Sequence, residues 1–108
     1  MTEPRTLPAL WSAFKATESE YDAACIVECR LETTLGAIHR GQGPKRVRDA
    51  MAKADALEER MSALIVRMCT APARTLADLQ ILARLAAARS ADRRISLALA
   101  QAVAAFGA

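Results

Sequence analysis

Any chemistry in this sequence would have to come from three cysteines, one histidine and two groups of basic residues. Cys25 and Cys29 are spaced i, i+4, on one side of a helix, and Cys69 or His39 would be needed to complete a soft-metal site with them. The tight Cys-x-x-Cys spacing that such sites favour is absent, so the cysteines are expected to act as small hydrophobes. His39 has no Glu-x-x-His pair around it, which excludes a di-iron bundle. No metal, cofactor or catalytic residue is therefore expected. The arginine spacing of a chorismate-mutase-like helical dimer is not matched either, and the chain does not read as an enzyme.

The sharper feature is a basic cluster. His39, Arg40, Lys45, Arg46 and Arg48 crowd into ten residues with no acid before Asp49. Lys45, Arg46 and Arg48 fall at the expected start of a helix, where cations oppose the macrodipole. An anionic partner would offset that cost, since phosphate suits both helix N-termini and arginine. A second group, Arg84, Arg89, Arg93 and Arg94, has no aromatic residue near it in sequence. Thr75 to Gln101 also lacks a glycine or comparable turn residue where a helix-turn-helix would place one.

The elements that must carry these residues are helical. Alanine, leucine, arginine and glutamate dominate, and the aromatics are only Trp11, Phe14, Tyr21 and Phe106. From an N-cap at Thr6, a heptad frame places Leu7, Phe14, Tyr21, Glu28 and Leu35 at one seam position. Leu10, Thr17, Ala24, Leu31 and Ile38 take the other. Glu28 would be buried there and would need Arg60 or Arg67 as a register-setting partner, unless the frame shifts locally and it reaches solvent. Gly41-Gln42-Gly43-Pro44 breaks the pattern. A second seam then alternates Val47, Ala54, Met61 and Met68 with Ala50, Leu57, Leu64 and Ala71, up to Pro72. These features predict a long antiparallel helical hairpin, about 7–40 and 44–70, with its methionines in the core.

Thr75 and Asp78 form a Thr-x-x-Asp capping box that opens a C-terminal helical segment over about 76–106. Ser90-Ala91-Asp92 is the place for a break near 90 and a short fourth helix. Ile81, Leu85, Ala88, Ile95, Leu99, Ala102 and Phe106 share one stripe, and Leu76, Leu79, Leu82 and Ala86 form another beside it. So wide an apolar face predicts either a sandwiched helix or a subunit interface at Leu76, Leu79, Ile81, Leu82 and Leu85.

The 108 residues suit one all-α domain, a helical bundle completed by dimerisation. Residues 1–38 carry net −3, 39–74 net +4 and 75–108 net +2. An acidic first helix beside a basic second favours their pairing, weakly for each exposed pair. The start shows no secretory signal, no apolar run reaches the roughly 20 residues of a membrane span, and three cysteines fit a reducing cytoplasm. Twelve arginines against three lysines, with no asparagine, read as a GC-rich, bacterial coding bias. The expectation is a structural or protein-interaction module that self-associates. The alternative is nucleic-acid or other polyanion binding through the basic turn 39–48.

Overall fold

The computed structural model describes residues 5–38 and 43–107, with side chains described for 5–27 and 48–106. All the regular structure there is helical: α1 (Leu7–Ile38), α2 (Gly43–Thr70), α3 (Leu76–Ala88) and α4 (Arg93–Gly107). The chain forms two compact units. One comprises Met1–Phe14 with Ala63–Ala108, the other Lys15–Ser62.

Each helix boundary has a local cause. Thr6 caps α1, its Oγ1 accepting from the Ala9 amide at 3.4 Å while its carbonyl accepts from Leu10 at 2.9 Å. Pro8 fits behind it because the first-turn amides have no intrahelical acceptor. At the far end of α2 the Thr70 hydroxyl donates back to the Val66 and Arg67 carbonyls, at 3.2 and 3.1 Å. Pro72 then stops the helix. The capping box of α3 is complete: Thr75 Oγ1 accepts from the Asp78 amide, and Asp78 Oδ2 accepts from the amides of Thr75 and Arg74.

The chain does break near residue 90. The turn Arg89–Asp92 contains no glycine and needs none, because no described residue has a positive φ. Arg89, at φ −131°, closes α3 by donating its amide to the Leu85 carbonyl at 3.0 Å. Its own carbonyl then accepts from Asp92, also at 3.0 Å.

In the first unit the core draws on every element. Leu7, Leu10 and Phe14 of α1, Leu64, Ile65 and Met68 of α2, Ile81, Leu82 and Leu85 of α3, and Ile95 and Ala98 of α4 are all buried. Met68, Leu85 and Ile95 are wholly excluded from solvent. In the second unit the seam positions Thr17, Ala24, Ala54 and Met61 are buried, and Tyr21, Ala50 and Leu57 are half-buried. Thr17, the polar member of the α1 seam, accepts a hydrogen bond from Arg60 Nε at 3.3 Å. Arg60 is one of the two arginines that the seam offers to Glu28, whose side chain lies outside the described residues. Farther along, Ala23, Ala24 and Val27 of α1 line a small cleft with Ala50 and Lys53 of α2.

Candidate functional site

The basic turn falls largely outside the described residues. Arg40 and His39 lie beyond them, as do the side chains of Lys45 and Arg46; Arg48 alone of that group is described, and it is exposed. The cysteine reading is also only partly visible. Cys25 and Cys69 are half-buried free thiols, and Cys29 lies outside the described side chains. No group of three or more potential ligands among His, Cys, Asp and Glu occurs among the described residues.

The α3–α4 junction is where described charged groups gather. Asp92 organises it: its Oδ1 accepts from the Arg94 amide at 3.0 Å and from Arg94 Nε at 3.3 Å, and its Oδ2 meets Arg94 Nη2 at 3.1 Å. A carboxylate at the mouth of α4 is favoured by the helix dipole as well. The hydrogen bond from Arg94 holds the Asp92 carboxyl below the ordinary carboxylate range. Cys69, at the end of α2, feels the same pair. Burial pushes its thiol up, the Asp92 charge adds to that, and Arg94 partly offsets it.

Arg89 is held differently. Its guanidinium lies over the ring of Phe14, 5.6 Å from the centroid, and Phe14 stacks on Trp11 at 5.8 Å with 22° between the planes. The fold therefore brings an aromatic to the second basic group, which has none near it in sequence. The signal was not local: Phe14 and Arg89 meet only because α1 and the end of α3 share a core. Arg84 and Arg93 are exposed, and neither is ion-paired among the described residues. A shallow, open cleft of about 760 Å³ runs from Ala88 to Arg94, with Arg89 and Arg93 in its lining.

The five α3 residues named for an interface divide into two sets. Ile81, Leu82 and Leu85 are buried in the chain's own core, while Leu76 is 63% exposed and Leu79 half-buried. Both stripes contribute to the core, Ile81 and Leu85 from one and Leu82 from the other, so the dividing line runs across the stripes and not between them. Further exposed apolar surface lies on α4, where Leu97 is 59%, Val103 52% and Phe106 48% exposed. Phe106 lies on the α3–α4 stripe, and nothing in its spacing marks the end of the core before it.

No helix among the described residues is long and apolar enough to cross a membrane. Comparison with family models, with curated proteins and with solved structures gives no match.

Proposed function

We propose that this chain is a structural or protein-interaction module, acting by binding rather than catalysis, and that it associates with a second copy of itself. The observation that carries this reading is the stripe on α4. It is buried at Ile95 and Ala98, half-buried at Leu99 and Ala102, and open at Val103 and Phe106. An amphipathic helix whose apolar face outlasts its own core has surface left for a partner helix. Residues 95–106 carry no charge, so two copies of this face meet without repulsion or a buried ion. Val103 and Phe106 are already about half covered, so burying the rest is worth on the order of 1 kcal/mol each. Leu76 and Leu79 of α3 would extend the contact.

Within the Lys15–Ser62 unit, α1 and α2 pair antiparallel, as in a helical hairpin. The Thr17–Arg60 bond and the cleft shared by Ala24 and Ala50 support it, because the α2 partner moves back along the chain as α1 advances.

Sedimentation velocity at micromolar concentration tests the association. The parent chain, 11.6 kDa, is expected to sediment as a dimer, and Val103→Glu/Phe106→Glu as a folded monomer, since both positions are open to solvent in the single chain. A parent that is a monodisperse monomer overturns the proposal.

A further inference from the structure

We propose that the α3–α4 junction binds the phosphate backbone of duplex nucleic acid through Arg84, Arg89 and Arg93. Residues 75–108 hold four arginines against two aspartates, Asp78 and Asp92. Both acids are already engaged: Asp78 is buried in the α3 cap, and Asp92 is bound by Arg94. Three cations at one end of the α3–α4 pair are thus left without a counter-ion among the described residues. Arg84 lies one turn before Ala88, on the side of α3 that borders the open cleft, and Arg93 lines that cleft on α4. Arg89, which also lines it, has its guanidinium fixed on Phe14, so little side-chain freedom remains to be lost on binding.

The shape of the surface selects the ligand. The cleft is shallow and open, which suits an extended polyanion better than an enclosed small phosphate. Phe14, the ring under the Arg89 guanidinium, is 1% exposed and cannot stack on a base, so this contact offers no platform of the kind on which single strands rely. Regularly spaced backbone phosphates are what remains for three separated arginines to contact. The connection between α3 and α4 is four residues long, Arg89–Asp92, and sets Arg93 at the start of α4 on the same cleft as Arg89.

Fluorescence anisotropy with a labelled twenty-base-pair duplex at low salt reads the interaction. The parent chain is expected to bind, with affinity falling as salt rises. Arg84→Ala/Arg93→Ala is expected to bind about tenfold or more weakly, with a salt slope lower by about one unit per contact removed. Both positions are exposed, so circular dichroism and sedimentation of the double variant should match the parent, which separates this loss from any loss of self-association. A parent that binds no duplex at low salt overturns the proposal, as does a double variant that binds as tightly as the parent. Binding confined to anionic lipid vesicles overturns it too. So does a loss produced by Lys45→Ala/Arg46→Ala/Arg48→Ala while the junction variant is unaffected.

Discussion

Single side chains do their clearest work around Asp92. One carboxylate caps α4, fixes the Arg94 guanidinium and projects its charge onto the Cys69 thiol. The folded state therefore holds the Cys69 proton more tightly than the unfolded chain does. The stability that this thiol contributes is complete below the ordinary thiol pKa and is lost as pH rises through the raised value. In a chain with Cys25 and Cys29 replaced by serine, the pH profile of Cys69 alkylation should have its midpoint above that of a free thiol. Asp92→Asn should move that midpoint down, because it removes the second-largest cause of the shift and keeps an oxygen to cap α4. None of this was legible in the sequence. Cys69 and Asp92 lie on different elements, and only the packing of α2's end beside the junction makes them neighbours. The Arg89–Phe14 contact was hidden for the same reason.

Helices, by contrast, announced themselves, because their signals are local and repetitive. All six described seam positions in the first half of α1 are buried or half-buried, Thr17 included. Its hydroxyl is tolerated because it is hydrogen-bonded. The capping box was equally legible, since Thr75 and Asp78 carry it within four residues. Removing it should cost α3 its fixed start: Thr75→Ala or Asp78→Ala is expected to destabilise the fold by about 1–2 kcal/mol in urea unfolding. Asp78→Ala should be the worse of the two, because it leaves the Arg74 and Thr75 amides without their acceptor. What spacing left open on α3 was how far along the helix the core reaches, since both apolar stripes contribute buried residues. Leu82 and Leu76 sit on one stripe, yet one is buried and the other exposed, because the core reaches only part of the helix.

For the molecule as a whole, the proposed association ties stability to concentration. A species that forms only from folded chains draws the folding equilibrium with it. The thermal midpoint of the parent should therefore rise with protein concentration, and that of Val103→Glu/Phe106→Glu should stay constant; calorimetry over a concentration series checks both. The same series bears on the two compact units, whose contents differ in a useful way. The chain's only tryptophan, Trp11, stacks on Phe14 in the unit built from Met1–Phe14 and Ala63–Ala108. Indole emission is thus a private optical channel for that unit, whereas far-ultraviolet dichroism sums over both. Superimposable melting curves from the two signals would make the chain one cooperative block, and displaced curves would divide it at the boundaries after Phe14 and after Ser62.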